Sequence, residues 1–425
     1  MNKKYEGNTI PLSECCDAIT DCHHSTPIFT SSGKLVIRNF NIKKGRLLLS
    51  NPSYTNEEIF NQRIARSIPE EGDLIITREA PMGEVCIVPD GVECCLGQRM
   101  VLLKPNRSKI NNQYLLYALL SEYAQKQINQ SNNTGSIVSN LRIPLLKELQ
   151  IPLNKNQDGI ALILSSLDKK IELNNQINQK LESMAKTLYD YWFVQFDFPD
   201  VDGKPYKSSA GKMVYSEALK REIPEGWEVF SLSSIVKSNY KSITKNDIFE
   251  EIEYLDTSSL TRNQIDVTEH LKTDLDKIPS RAKRIINTND ILYSTVRPNL
   301  CHYGIIKYPI KNMIASTGFV QLSTKVDWLS NDLIYTFLTS SWITSRLQQV
   351  ASLSVSSYPS ISANDILELN IVLPKEGKGL DFINTKLDNI YSKISLNQIE
   401  NQKLTQLRDW LLPMLMNGQV GVESK

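Results

Sequence analysis

The chain has 425 residues, of which 41% are hydrophobic and 22% are charged. This composition excludes a disordered chain and is typical of a globular protein of several domains, since a domain averages roughly 100–200 residues. Lysine and arginine number 48 against 47 aspartates and glutamates, which leaves a net charge of +1. The overall charge therefore gives no sign of a nucleic-acid partner, and any basic surface must be local.

The cysteines and the N-terminus indicate the compartment. The seven cysteines are an odd number and include two adjacent pairs, which argues against a disulfide framework. The N-terminal sequence lacks the apolar segment of a secretory signal, and no run of roughly 20 apolar residues predicts a membrane helix. We therefore expect reduced thiols, a cytoplasmic location and no membrane partner.

The first elements in chain order belong to an internal repeat. Four segments of the first half recur in the second half in the same order and at a nearly constant offset. The matching pairs are 12–13 with 232–233, 72–77 (GDLIIT) with 289–294 (NDILYS), 149–153 with 369–373, and 173–181 (LNNQINQKL) with 396–404 (LNQIENQKL). Because order and spacing persist over four segments, we interpret them as a duplication and not as chance similarity.

Each repeat has the same predicted order of elements. Short β-like runs, such as 35–37, 74–77 and 100–103, are broken by glycine, proline and asparagine. A helix follows near 114–127 in the first repeat and near 332–348 in the second. A long helical run then closes each repeat, at 158–192 and 380–416.

The predicted fold class is α+β. Two similar domains of mixed β-strands and helices are expected to be related by a pseudo-two-fold axis and joined by two long antiparallel coiled-coil helices. We place the repeated domains at residues 1–156 and 223–378 and the long helices at 157–197 and 379–418. The segment between them, 198–222, is predicted to be an ordered but irregular connector because it is rich in glycine, proline and lysine.

Both long helices carry a heptad seam, with residues spaced alternately four and three apart between Ile160 and Trp192 and between Ile383 and Leu415. Each seam has two asparagines at its middle. An antiparallel pairing places Asn174 opposite Asn401 and Asn178 opposite Asn397, so that the four amides satisfy one another. A parallel pairing gives the same asparagine layers, so these residues predict register better than direction. The alternative is two separate amphipathic helices, each packed on its own domain.

The architecture suits a protein that reads two sites at a fixed distance. A helix of this length spans roughly 50 Å at about 1.5 Å per residue. DNA half-sites on one face of the duplex lie roughly 34 Å apart. A two-headed DNA reader and a protein scaffold both fit this geometry.

Motifs for catalysis are missing or incomplete. The sequence NPSY at 51–54 resembles the NPPY signature of amino-methyltransferases, but it lacks the second proline and no glycine-rich cofactor loop precedes it. There is no G-x-x-x-x-G-K-[ST] phosphate loop, and the CHH at 22–24 lacks the paired spacing of a zinc site. We therefore expect a binding protein, not an enzyme, with no metal and no cofactor of its own.

Several segments carry a family resemblance, which covers essentially the whole chain. They are 211–215 (GKMVY) followed by 223–229 (IPEGWEV), 163–174 (ILSSLDKKIELN) continuing to 188–193 (LYDYWF), and 358–361 (YPSI). These segments resemble the specificity (S) subunits of type I restriction–modification enzymes. One departure is at 152–158 (PLNKNQD), where the family often has Pro-Pro…Glu-Gln, and this leaves the start of the first long helix open.

The resemblance implies a specific division of labour. The two repeated domains would be target recognition domains in inverted orientation, each reading one part of a split, asymmetric sequence in double-stranded DNA. The long helices would set the gap and dock two methyltransferase (modification) subunits, which carry S-adenosylmethionine and modify adenine. Two restriction/translocase subunits would supply ATP- and Mg²⁺-dependent translocation and cleavage, and this chain would catalyse nothing itself. The alternative function is a non-nucleic-acid coiled-coil scaffold that clamps two copies of a partner protein.

Candidate DNA-binding residues lie in loops beside the β-runs. Bases are read by arginine, asparagine and glutamine, and phosphates are bound by basic and hydroxyl side chains or backbone amides. In the first domain the candidates are Arg38, Asn39, Thr77, Arg78, Gln98, Arg99, Gly135 and Ser136. In the second they are Thr257, Ser294, Arg297, Ser316, Thr317, Ser356, Ser357 and Tyr358. Each residue can equally be a solvated loop residue or a local cap.

Aromatic residues near the ends of the long helices have two interpretations. Trp192, Phe193 and Trp410 either form a docking surface for the methyltransferase partners or pack against the repeated domains.

Overall fold

The computed structural model describes residues 8–130, 140–244, 246–353 and 359–422. The chain divides into two compact units. The first unit consists of Met1–Glu172 and Gln402–Lys425, and the second of Leu173–Asn401. Each long helix is shared between the units, and Ile160 and Leu164 of one long helix and Leu415 of the other belong to the buried core of the first unit.

The first unit is built around a four-stranded antiparallel sheet. In spatial order its strands are Cys16–Asp21, Met100–Pro105, Leu74–Thr77 and Val85–Ile87. A three-stranded sheet lies in the order Ser53–Thr55, Lys34–Ile37, Cys94–Leu96, with the last two strands parallel. Two-stranded sheets pair Thr9–Pro11 with Gln150–Pro152 and Ile42–Lys43 with Arg46–Leu47. The α-helices are Leu12–Cys15, Glu57–Ile64, Asn112–Leu120, Glu122–Gln130, Ile143–Glu148, the start of Gln157–Tyr189 and the end of Asp381–Met416.

The strand Leu74–Thr77 is a continuous apolar run because both of its faces are buried. Successive side chains of a strand point to opposite faces. Leu74 and Ile76 pack into one core with the helix Asn112–Leu120, and Ile75 packs into a second core with Met100. The sheet therefore lies between two layers, and its strand ends carry the loops described below.

The second unit repeats this plan with additions. One four-stranded sheet runs in the order Val236–Ser238, Phe319–Thr324, Asp290–Ser294, Tyr303–Ile306, and the other Glu269–Lys272, Glu251–Leu255, Met313–Ser316, Ala282–Ile285. Two-stranded sheets pair Trp227–Ser231 with Asn370–Pro374, Leu260–Thr261 with Gln264–Ile265, and Met213–Ser216 with Arg221–Pro224. The helices are the remainder of Gln157–Tyr189, a π-helical turn at Asp190–Val194, Leu232–Ile235, Asn331–Leu338, Ser341–Ser352, Ala363–Leu367 and most of Asp381–Met416.

The two units share one topology, as the sequence repeat predicts. The strand order of the four-stranded antiparallel sheet is the same in both, and each unit has one parallel strand pair in its second sheet, Lys34–Ile37 with Cys94–Leu96 and Glu251–Leu255 with Met313–Ser316. The strand Ala282–Ile285 is an addition that pairs with Met313–Ser316 in the second unit.

Two predicted helices are each broken into two. The first breaks at Ser121, whose hydroxyl donates to Ala118 O at 2.6 Å. The second breaks at Thr339 and Ser340, and the Ser340 hydroxyl donates to Phe337 O at 2.7 Å. Serine and threonine compete for backbone partners in this way and favour helix ends. The connector also differs from the prediction, because it contains the strand Met213–Ser216.

Candidate nucleic-acid interface

Three loops meet at one edge of the sheets in the first unit. They are the turn Asn39–Asn41 after the strand Lys34–Ile37, the loop after Leu74–Thr77, and the turn before Met100–Pro105. The Gly97 amide donates to Ile37 O at 2.8 Å, and the Arg78 amide donates to Arg99 O at 2.8 Å. The structure thus brings together all the described candidates of this domain: Arg38, Asn39, Thr77, Arg78, Gln98 and Arg99.

The same three loops meet in the second unit. The 3-10 turn Thr257–Ser259 follows the strand Glu251–Leu255, and the Thr295 amide donates to Gly318 O at 2.9 Å. A Cβ at Gly318 would lie 2.7 Å from Thr257 Cγ2, so the close approach of these two loops requires glycine. Thr257, Ser294, Ser316 and Thr317 are therefore neighbours, as predicted from the repeat. Arg297 is exposed on the adjoining loop, where its amide donates to Pro359 O at 2.9 Å.

Three of the predicted hydroxyl residues are buried and bond to the backbone nearby. Thr77 donates to Pro81 O at 2.7 Å, and Ser294 donates to Val296 O at 3.2 Å. Ser316 accepts the Gly318 amide at 3.2 Å. These hydroxyls shape the loops, because their partners are backbone groups of the loops themselves. Their assignment to DNA binding stays a prediction.

Arg78 is also engaged within the domain. Its Nη1 contacts both carboxylate oxygens of Asp21 at 3.0 and 2.8 Å, and its Nε donates to Leu141 O at 3.0 Å. Its Nη2 donates to Asn140 at 3.2 Å, and Asn140 in turn donates to Glu79 at 2.7 Å. The buried guanidinium therefore joins the segment at 140–141 to the sheet edge, and a contact of Arg78 with DNA stays a prediction.

Other candidates remain accessible. Arg99 has a 46% exposed side chain and contacts Glu79 through Nε at 3.2 Å. Asn39 uses its Nδ2 to hold the neighbouring loop through Ala80 O at 2.9 Å. Gln98, Thr257 and Thr317 are partly exposed. Gly135, Ser136, Ser356, Ser357 and Tyr358 lie outside the described residues.

The predicted register asparagines are buried or partly buried and hydrogen-bonded within the second unit. Asn174 Nδ2 donates to Asn401 Oδ1 at 2.9 Å, and Asn397 Nδ2 donates to Asn178 Oδ1 at 2.8 Å. The bonds are not fully reciprocal, because Asn401 Nδ2 donates to Asn175 Oδ1 at 2.9 Å. Along the first helix the residue number rises from Asn174 to Asn178, while the number of the partner falls from Asn401 to Asn397. This is the pattern of two helices that run in opposite directions.

The sequence and the fold are similar to those of known proteins. The family model described as the type I restriction modification DNA specificity domain matches residues 27–183 and 224–406, one match for each repeat. The chain belongs to the family of type I restriction–modification specificity subunits.

Individual members of this family are similar over most of the chain. The MjaIX specificity subunit of Methanocaldococcus jannaschii is 25% identical over 363 residues, which cover 83% of this chain and 78% of the relative. The HindI specificity subunit of Haemophilus influenzae is 24% identical and covers 84% of this chain and 88% of the relative. A crystal structure of the S subunit from M. genitalium aligns with a TM-score of 0.60 at 17% identity, covering 98% of this chain and 97% of that chain, and so shows the same fold.

The sequence did not reveal an ionic centre that holds the first recognition domain to its helices. Asp168 accepts from Tyr117 Oη at 2.7 Å and from Arg408 Nη1 at 2.7 Å, and Arg46 Nη2 lies 3.4 Å away. Burial and the Asp168 carboxylate raise the pKa of Tyr117 well above its ordinary value. The sequence signal for this ionic centre was Arg408, a cation at a seam position of the second long helix where an apolar residue is expected.

A second ionic centre lies in the second unit. Lys307 donates to Asp332 at 2.9 and 3.1 Å and to Asp388 on the long helix at 2.7 Å. Lys307 and Asp332 are buried, and burial raises the pKa of Asp332 in spite of the ammonium group. No sequence pattern links these residues, because they lie on separate elements.

The aromatic residues at the helix ends divide between the two predicted roles. Trp192 and Phe193 are buried in the core of the second unit, where Trp192 stacks on Phe382 and Phe193 contacts Trp227. Packing explains these two. Trp410 is 57% exposed.

The part of the chain that the structure describes holds no group of three His, Cys, Asp or Glu side chains that could bind a metal ion. Nor does any described helix have the length and apolarity needed to span a membrane. The cysteines are free thiols. Burial raises the pKa of Cys95 to about 11 and that of Cys94 to about 12, so both thiols stay protonated at neutral pH.

The asparagine pair Asn178–Asn397 offers a test of register. Replacing Asn178 alone with leucine leaves the buried Asn397 amide without its partner and should lower the free energy of unfolding by about 1–3 kcal/mol. Replacing both with leucine should restore that stability or exceed it, because two apolar side chains then meet. Chemical unfolding of the two single variants and the double variant measures the coupling. Additive effects would show that the two amides do not interact.

Proposed function

We propose that this chain binds a split, asymmetric sequence in double-stranded DNA, with one recognition domain for each part. The single observation that carries this proposal is the duplication: two matches to a DNA specificity domain, each with the same three loops gathered at one sheet edge. Loops on a rigid sheet scaffold can vary in sequence without disturbing the fold, which suits them to recognition.

The two sets of loops differ at equivalent positions. Asn39 of the first turn corresponds to Thr257 of the second, and Arg99 corresponds to Gly318. Different donors and acceptors at equivalent positions select different bases. An asymmetric target therefore follows from a symmetric duplication.

The long helices act in this proposal as an antiparallel coiled coil that fixes the spacing between the half-sites. The asparagine bonds support this role, and every seam residue from Ile160 to Trp192 is buried or partly buried. Exposed apolar side chains on the same helices are candidates for docking two methyltransferase subunits and two restriction/translocase subunits: Leu162, Leu173, Met184, Leu396, Leu407 and Trp410.

Catalysis belongs to those partners in this proposal. The methyltransferase subunits supply S-adenosylmethionine chemistry, and the restriction/translocase subunits use ATP and Mg²⁺. This chain contributes recognition alone and acts in the cytoplasm, where the DNA and the partners are.

DNA binding by the complex with its methyltransferase partner tests the proposal. We expect binding to one split sequence with an affinity roughly 10³-fold or more above that for random DNA, and a steep decline of affinity with salt because phosphate contacts release counterions. The partner alone is the control and should not select the sequence. Partner binding without any sequence-selective DNA binding would favour the scaffold function instead.

A further inference from the structure

Arg38 is held between two exposed aromatic rings. Its guanidinium carbon lies 4.7 Å from the centroid of Phe29 and 4.6 Å from that of Phe40. The rings themselves are 39% and 47% exposed. Arginine stacks on aromatic faces, and contact with two rings holds the planar guanidinium in place at the surface. The side chain therefore loses little further conformational freedom when it binds a ligand.

Both rings are fixed by the fold. The residues on either side of Phe29 are anchored: the Thr55 hydroxyl donates to Ile28 O at 2.7 Å, and the Thr30 amide donates to Tyr54 O at 2.9 Å. Phe40 lies in a turn that the buried Asn41 closes, because its Nδ2 donates to Leu48 O at 2.8 Å. The position of the guanidinium is therefore set before any ligand arrives.

The charge of Arg38 has no carboxylate partner among the described residues of the domain. Across the described residues no carboxylate lies within 4.0 Å of it, whereas Arg78 and Arg99 contact Asp21 and Glu79. Its one side-chain hydrogen bond, from Nη1 to Ser53 Oγ at 3.5 Å, is long and uses one of five N–H groups. The remaining donors form a planar fork, the group that pairs with two acceptors of guanine in the major groove.

We propose that Arg38 reads a guanine, and that Phe29 and Phe40 position it for this contact. This inference rests on the proposed function and adds to it the residue and the base. It concerns one half-site alone, because the equivalent residue of the second domain is Asp256, which precedes the turn Thr257–Ser259 and caps it by accepting the Ser258 amide. A carboxylate cannot donate to guanine O6 and N7.

The test is the base preference of the complete methyltransferase complex, measured by selection from DNA in which each target position is randomised in turn. The wild-type complex should require guanine at one position of one half-site. R38Q should reduce the preference for that guanine by about tenfold or more, since a bidentate contact discriminates by roughly 5- to 150-fold. The other positions and the other half-site should be unchanged.

Two further variants separate reading from general attraction. R107Q removes one positive charge from an exposed residue of the same unit and should leave every base preference as in the wild type. The double variant F29L/F40L keeps Arg38 but removes its rings, and should weaken the preference for the same guanine less than R38Q does.

The outcomes are distinguishable. If R38Q weakens binding to all sequences equally and keeps the guanine preference, Arg38 contacts phosphate and the inference is wrong. The same conclusion follows if F29L/F40L shifts a different position from R38Q. If the wild-type complex selects no sequence at all, the proposed function itself fails, whatever Arg38 does. R38K, which keeps the charge but not the planar fork, should retain more of the guanine preference than R38Q and less than the wild type.

Discussion

Replacing Lys307 with methionine is expected to lower the free energy of unfolding by about 3–5 kcal/mol, because it leaves a buried carboxylate without its cation. Lys307 and Asp332 have side chains only 3% exposed, and Asp332 accepts two contacts from the ammonium nitrogen. Methionine has a similar volume, so the loss is one of charge compensation and not of packing. Chemical denaturation followed by circular dichroism measures the change.

Asp388 provides the matched control. It contacts the same ammonium nitrogen at 2.7 Å, but its side chain is 52% exposed. D388N should therefore cost no more than about 1 kcal/mol, as exposed ion pairs do. The double variant K307M/D332L should regain most of the stability, since a buried ion pair is often replaceable by apolar residues. K307M with no larger an effect than D388N would contradict this account.

The effect of K307M should also depend on pH. Burial raises the pKa of Asp332 above its ordinary value. The folded state therefore keeps this proton up to a higher pH than the unfolded state does. As pH rises from the pKa of Asp332 in the unfolded state toward its pKa in the folded state, the contribution of this group to the stability of the protein falls. Without Lys307 the folded pKa should rise further. The difference in stability between K307M and the wild type should therefore shrink as pH falls and grow as pH rises.

Replacing Asp168 with alanine is expected to cost about 2–3 kcal/mol, somewhat less than a fully buried pair, because the carboxylate is partly solvated. Its side chain is 25% exposed, and that of its partner Arg408 is 12% exposed. The change leaves the Arg408 guanidinium at a seam position without its main partner and also removes the acceptor of Tyr117.

Asp409 is the matched control for this centre. It contacts Arg408 at 2.8 Å but has a 61% exposed side chain, so D409N should change stability little. The double variant D168L/R408L replaces both charges with apolar side chains, that of residue 408 at the seam, and should recover stability relative to D168A. A loss on D168A that does not exceed the loss on D409N would show that Asp168 does not hold the helices.

The sequence predicted the features that local patterns encode. The duplication could be recognised because strand and helix segments recur in the same order. The asparagine positions could be assigned because a heptad has a fixed period. The loops around Arg38 and Arg99 could be placed from the sequence because Arg38 follows the predicted strand at 35–37 and Arg99 precedes the one at 100–103. Their contact with each other was not directly visible in the sequence, but the structure brings them together.

The sequence did not reveal the features that depend on tertiary packing. The burial of Thr77, Ser294 and Ser316 at the ends of their strands was not visible in the sequence. Arg78 looks like an exposed reader, but Asp21, which is distant in sequence, neutralises it. The partnership of Lys307 with Asp332 depends on the packing of separate elements, and no periodicity encodes it.

The central claim is that this chain chooses the DNA sequence that a methyltransferase partner modifies. The most direct measurement maps methylated adenines across the genome in strains with and without the gene, with the partner methyltransferase present and expression confirmed in both. We expect one split motif to lose its methylation on deletion, with both half-sites and their gap readable from the difference. An unchanged pattern of methylation would contradict the claim.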